Sequence, residues 1–175
     1  CGLIHDIGNP AFGHAGELAI STWFEKTFGT TESKEHFERP LGVRNSQMVD
    51  DFLRFEGNAQ AIRTVSNLEL LSHSRGLNFT AGTLSAACKY IAPSNGINKL
   101  HHEQSKPGFF FSESEILRKV RDVTGTDGCR HPITYIVEAA DDIVYCSVDL
   151  EDGIRKGILQ WPDVERQLVE LSSQA

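Results

Sequence analysis

The sequence predicts an all-α fold, and three observations carry that prediction: apolar residues recur at helical spacing through most long segments, alternation of the strand type is hard to find, and Gly, Pro and capping residues punctuate the chain where helices would start and stop. Gly2 to Gly8 reads as the end of a buried helix, stopped by Gly8-Asn9-Pro10, because Gly suits a helix C-terminus and Pro cannot continue one. A tight loop, Pro10 to Gly13, follows. From Ala15 to Phe28 the residues Leu18, Trp23 and Phe24 recur at helical intervals, and the polar stretch Gly29 to Pro40 reads as a loop. Two further helices are predicted over Val43 to Phe55 and Asn58 to Leu71, divided at Glu56-Gly57. Thr80 to Tyr90 is another, with Thr80 as its N-cap. Ala92 to Pro107 is rich in turn signals and reads as an exposed excursion. Ser112 to Val123 opens with a capping-type Ser-Glu-Ser-Glu. Pro132 to Gly157 is the longest helical stretch, with Pro132 suited to a first turn.

The chain has 175 residues, 39% hydrophobic and 23% charged, with a mean hydropathy of −0.28. That is the size and composition of one globular domain. The net charge of −7 argues against a broad nucleic-acid-binding face, so an anionic substrate would need a cation to receive it. Cys1, Cys88, Cys129 and Cys146 are scattered, without the spacing of a metal knuckle or a disulfide scaffold, and read as reduced thiols of a cytoplasmic protein. No apolar run approaches the roughly 20 residues of a membrane span. The chain opens at Cys-Gly-Leu-Ile rather than Met, which reads as a fragment of a longer domain, with upstream and downstream segments absent.

Three constellations carry chemistry. His5 and Asp6 are adjacent at the end of an apolar segment, where an imidazole and a carboxylate can share a divalent ion; the plain alternative is a core histidine beside a solvated helix-end carboxylate. His14 and Glu17 lie three apart at the start of a helix and share a face, as an acid/base histidine and its carboxylate would, or as a helix-start Glu answering the dipole. On the helix from Pro132, taking Asp141 as zero and about 100° per residue, Asp152, Tyr145, Asp149 and Asp142 fall between about 20° and 100°. Ala139, Ile143, Cys146, Leu150 and Ile154 fall opposite. Four aspartates around one tyrosine form either a solvated acidic face or a front that a metal would relieve of repulsion, the tyrosine suiting a sugar or base. In Phe55 to Gln60, Glu56 is a candidate to support the site from behind its ligands, while Asn58 and Gln60 offer amides to substrate oxygens; Asn58 has the alternative role of capping its helix. Lys106, beside Phe109 and Phe110, is a cation next to aromatics.

Taken together, HDIGNPAFGHAGE at His5, FEGNAQAIR at Phe55, GLNFTAGTLSAACKY at Gly76, KPGFFFSE at Lys106 and HPITYIVEAADDIVYCSVDLEDGI at His131 resemble the deoxyguanosinetriphosphate triphosphohydrolase family, a branch of the HD-domain superfamily. The motifs occur in family order and span almost the whole chain. The resemblance implies an HD-domain helical bundle with a metal site between helices, holding Mn²⁺ or Mg²⁺ on His5, Asp6 and Asp141, with a further histidine upstream of Cys1. It implies that His14 is the catalytic histidine, Glu17 its acidic partner and Glu56 a further acidic group at the site. Asn9, Asn58, Tyr145 and Asp149 would contact substrate, Tyr145 and Asp149 at the deoxyribose. Many relatives carry His at the place of Asn9; an amide exchanges no protons near neutral pH, and Asn occurs there in the dGTP-preferring branch, which favours dGTP over dNTPs in general. The implied reaction is hydrolysis of dGTP to deoxyguanosine and tripolyphosphate by a cytoplasmic homo-oligomer, with single-stranded DNA as a candidate effector. Alternatives are a broader dNTP triphosphohydrolase, a non-hydrolytic nucleotide-binding regulatory module, and an HD phosphohydrolase acting on another nucleotide or a phosphodiester.

Overall fold

The structure, a computed structural model, describes residues 1–28, 46–68 and 76–173. The loop expected over Gly29 to Pro40, the start of the Val43 to Phe55 helix and the end of the Asn58 to Leu71 helix lie outside the described residues. The chain divides into two compact units, Cys1–Thr134 and Tyr135–Ala175.

The first unit corrects the expectation for Gly2 to Gly8. These residues form a succession of turns rather than the end of a buried helix. One bond of helical span forms, from His5 N–H to the Cys1 carbonyl at 3.1 Å. A run this short with glycine at both ends cannot offset the cost of nucleating a helix. Leu3 is fully exposed. Gly8 is buried instead, because it meets the backbone of a later helix: a Cβ there would lie 2.1 Å from the Gly57 carbonyl oxygen and 2.2 Å from Ala61 N.

Phe12 and Gly13, both at positive φ, turn the chain into α1 (His14–Phe28), close to the expected helix. Its aromatic residues pack beyond it, with the Phe24 and Phe52 rings 5.0 Å apart. Phe52 belongs to α2 (Ser46–Leu53). Next comes α3 (Gly57–Arg63), which runs into a π-helical turn at Thr64–Leu68. The helix α4 (Ala81–Ala87) begins as expected, the Thr80 hydroxyl accepting from Thr83 N–H at 3.2 Å. It stops before Tyr90, because Cys88 turns extended and the chain enters a strand.

Strand pairing corrects the expectation of an exposed excursion over Ala92 to Pro107. The two ends of this segment pair as β1 (Ala92–Pro93) and β2 (Pro107–Phe109), parallel, with Ala92 opposite Pro107 and Pro93 opposite Phe109. Ala92, Ser94 and Phe109 are buried, whereas Lys99, Leu100, His101 and His102 are exposed. The helix α5 (Ser114–Thr124) starts two residues later than expected. The Ser112 hydroxyl bonds Glu113 Oε2 at 2.9 Å rather than capping the helix. Gly125, at φ +65°, closes α5 in the left-handed conformation common at helix ends.

The core of this unit lies where α3, its π-helical continuation, α4, β2 and α5 meet. Ile62, Cys88, Phe109 and Leu117 form one buried cluster, and Val65, Leu84 and Val120 another. Ile116 packs against both. Leu117 and Val120, three apart, supply one face of α5, and each such side chain contributes about 1.5–3 kcal/mol when fully buried.

The helix α6 (Pro132–Arg155) begins at the proline expected to start it. In the second unit it is followed by α7 (Trp161–Ser172). The turn between them returns Ile158 and Leu159 N–H to the Gly153 carbonyl at 2.9 and 3.0 Å. Ile143 and Leu150, expected on an apolar back of α6, are exposed, as is Tyr145 on the acidic front. No helix among the described residues is long and apolar enough to cross a membrane.

Candidate functional site

The turns of residues 1–9 present two adjacent donor atoms. His5 Nδ1 lies 2.8 Å from the Gly2 carbonyl oxygen. Since a carbonyl only accepts, Nδ1 carries the proton of that bond, which leaves Nε2 as the ring's other site. His5 Nε2 stands 3.2 Å from Asp6 Oδ2, while Asp6 Oδ1 accepts from Asn9 Nδ2 at 2.8 Å. A nitrogen and a carboxylate oxygen at this distance can share a cation. Two ligands about 2.1 Å from one ion, 90–109° apart, are separated by about 3.0–3.4 Å. The observed spacing fits that pair of neighbouring ligands. Within the first unit no third His, Cys, Asp or Glu among the described residues completes such a group. Asp141, the other expected ligand, belongs to the second unit.

A cleft of about 780 Å³ opens at the start of α1. His14, the first residue of α1, and Glu17, one turn on, both line it, together with Glu56, Arg54, Lys99, Ser105 and Lys106. Glu17 Oε1 accepts from Gly57 N–H at 2.7 Å and Oε2 faces Lys106 Nζ at 4.0 Å. The carboxylate expected to serve His14 thus directs its hydrogen bond to the start of α3. Glu56 is the N-cap of that helix: Oε2 accepts from Asn58 N–H at 2.6 Å and Ala59 N–H at 3.2 Å. Its Oε1 accepts from Asn58 Nδ2 at 2.9 Å and meets Lys106 Nζ at 3.5 Å. Of the two readings of Asn58, the cap is not what forms. Its side chain serves Glu56, which caps in its place.

The predicted residues therefore separate into groups. His5, Asp6 and Asn9 meet in the first turns, and His14, Glu17 and Glu56 share the cleft. Asp141, Tyr145 and Asp149 follow one another at intervals of four along α6, which sets them on one face of that helix. Arg54 and Lys99 were not singled out from sequence, although both line the cleft. The Arg54 guanidinium is fixed on the Ser94 carbonyl oxygen, and Lys99 sits in the exposed middle of the segment between the strands. Their only sequence signal was a positive charge near turn residues, and nothing in the spacing brings them to His14. Lys106 did carry a signal, its aromatic neighbours, and its Nζ lies 5.8 Å from the Tyr90 ring centre.

An all-α chain with an imidazole, two carboxylates and three basic side chains around one cleft is suited to handling a phosphorylated substrate. Among known proteins it is similar to a "Deoxyguanosinetriphosphate triphosphohydrolase-like protein" of Listeria monocytogenes, 42% identical over 90% of this chain and 34% of the relative. A protein of the same name from Synechocystis sp. is 39% identical over 97% of this chain and 40% of its own length. The "Deoxyguanosinetriphosphate triphosphohydrolase" of Yersinia enterocolitica is 37% identical over 96% of this chain and 36% of its own. No family model matches the chain. The chain belongs to the deoxyguanosinetriphosphate triphosphohydrolase family, and it spans between a third and two fifths of the length of these curated relatives.

Proposed function

We propose that this chain is the catalytic stretch of a metal-dependent triphosphohydrolase that cleaves dGTP to deoxyguanosine and tripolyphosphate. The observation that carries the reading is the gathering of His14, Glu17 and Glu56 in one cleft with Arg54, Lys99 and Lys106. Its volume lies in the range of small-molecule sites.

His5, Asp6 and Asp141 would hold the divalent ion, Mn²⁺ or Mg²⁺, which supplies Lewis-acid polarisation of a phosphate and lowers the pKa of a bound water. His14, at the exposed first residue of α1, is the proton donor to the departing 5′ oxygen of the nucleoside. Lys106 and Lys99 face the polyanion. The Glu17 and Glu56 carboxylates hold the Lys106 ammonium at the cleft wall. Tyr145 and Asp149 contact the deoxyribose, Asp149 at its 3′-hydroxyl.

Separation of the products by ion exchange tests the cleavage position. Tripolyphosphate with deoxyguanosine is the expected pair; pyrophosphate with dGMP would overturn it. A screen of dNTPs, NTPs and cyclic dinucleotides with Mn²⁺ tests the substrate, and dGTP is expected to be turned over fastest.

A further inference from the structure

We infer that Asn9 is a positioning residue for the Asp6 carboxylate, seated by Gly57, and not a group that binds substrate. The inference rests on the reading of Asp6 as a metal ligand. The torsion that turns a carboxylate is broad and two-fold, and Asp6 is half exposed, so packing alone leaves either oxygen free to face His5. The Asn9 amide decides between them: Nδ2 donates to Oδ1 at 2.8 Å, which leaves Oδ2 at 3.2 Å from His5 Nε2. The same role on the imidazole is played by the Gly2 carbonyl. Each member of the pair thus has one hydrogen bond that orients it and one atom directed toward its neighbour.

Asn9 is itself oriented by a close approach. A Cβ on Gly57 would fall 2.4 Å from Asn9 Oδ1 and 2.9 Å from Glu17 Oε1, while Gly57 N–H bonds Glu17 Oε1. The amide oxygen therefore lies over the first residue of α3, which leaves the NH₂ end to reach Asp6. Through this one glycine the turn bearing His5 and Asp6, the carboxylate on α1 and the start of α3 are set against each other.

The test is Mn²⁺ affinity, read from free Mn²⁺ by electron paramagnetic resonance on the metal-free protein, so that turnover is not needed. Removing a hydrogen-bond partner of a metal ligand costs about 10–100-fold in affinity. Asn9→Ala and Asn9→Leu are expected to weaken Mn²⁺ binding by about that factor, with unchanged thermal unfolding of the metal-free protein, since Asn9 is exposed. Asn9→His, whose Nδ1–H sits where the Asn NH₂ does, is expected to restore affinity to within a few-fold. Gly57→Ala, acting through Asn9, is expected to weaken it likewise. Wild-type affinity in Asn9→Ala and Asn9→Leu would overturn the positioning role while leaving the metal reading intact. Absence of Mn²⁺ binding by the unaltered protein would overturn the metal reading itself.

Discussion

Lys106 reaches Glu56 across 50 residues of chain, Nζ to Oε1 at 3.5 Å, and the carboxylate it meets is almost wholly buried while the lysine keeps a third of its surface in water. Glu56 already accepts three hydrogen bonds from Asn58 and Ala59, so Lys106 supplies countercharge more than geometry. Lys106→Met keeps the apolar stem and removes the charge. It is expected to lower the stability toward urea by up to about 1 kcal/mol, the contribution of a partly solvated countercharge to a carboxylate that keeps its hydrogen bonds. Adding Glu56→Gln should recover part of that loss, and strict additivity of the two substitutions would show that the pair is not coupled.

His14 and Asp141 are expected to fail in different ways. His14→Ala should lower kcat by about 10²–10⁴ with Mn²⁺ affinity preserved, as for a lost general acid. Asp141→Ala should remove ion binding and turnover together, measured by titration of free Mn²⁺ alongside the rate. Retention of the ion with full activity in Asp141→Ala would take Asp141 out of the site.

Burial pushes the Asp51 carboxyl up to about 6, against the hydrogen bonds it accepts from Phe111 N–H and Ser94 and with help from the nearby Glu113 and Asp50 charges. The folded protein therefore binds this proton more tightly than the unfolded chain does. The contribution to stability is full below about pH 4 and is lost as pH rises to about 6. For a group that water still partly screens, the change is of the order of 1 kcal/mol. Asp51→Asn is expected to flatten the stability profile between pH 4 and 6, measured by urea unfolding across that range.

Gly8→Ala and Gly57→Ala should differ in cost. At Gly8 the added methyl meets backbone atoms of α3, at Gly57 the ends of two side chains that can turn aside. Overpacking of this kind costs about 1–3 kcal/mol, and Gly8→Ala is expected at the upper end, with the larger fall in unfolding temperature.

Where the sequence was informative, the reason was local. Thr80 and Pro132 announce helix starts by their own chemistry, and α1 and α6 are long enough for periodicity to register. The strands β1 and β2, of two and three residues, are too short to show alternation, and their pairing is set by Tyr90 to Pro93 meeting Pro107 to Phe110 in the core. The Gly2 to Gly8 stretch carries a false signal, because an apolar run beside Gly-Asn-Pro resembles a helix end whether or not a helix precedes it. Of the site, His14, Glu17 and Glu56 were legible through their motifs and do share a cleft. The capping role of Glu56 has no such signal, since Glu is not among the usual capping residues. Arg54 and Lys99 reach the cleft through tertiary packing, which spacing along the chain does not encode.

The ladder between β1 and β2 also separates the two lysines of the cleft by how firmly each is tethered. Lys106 immediately precedes the paired residue Pro107, so its position follows from strand register and not from the number of residues looped out before it. Lys99 belongs to the looped-out part. Lengthening the segment by a residue or two near Asn95-Gly96 would thus be tolerated at the Lys106 end and felt at Lys99, which makes this loop a place where reach across the cleft can be tuned while its anchored charge stays put.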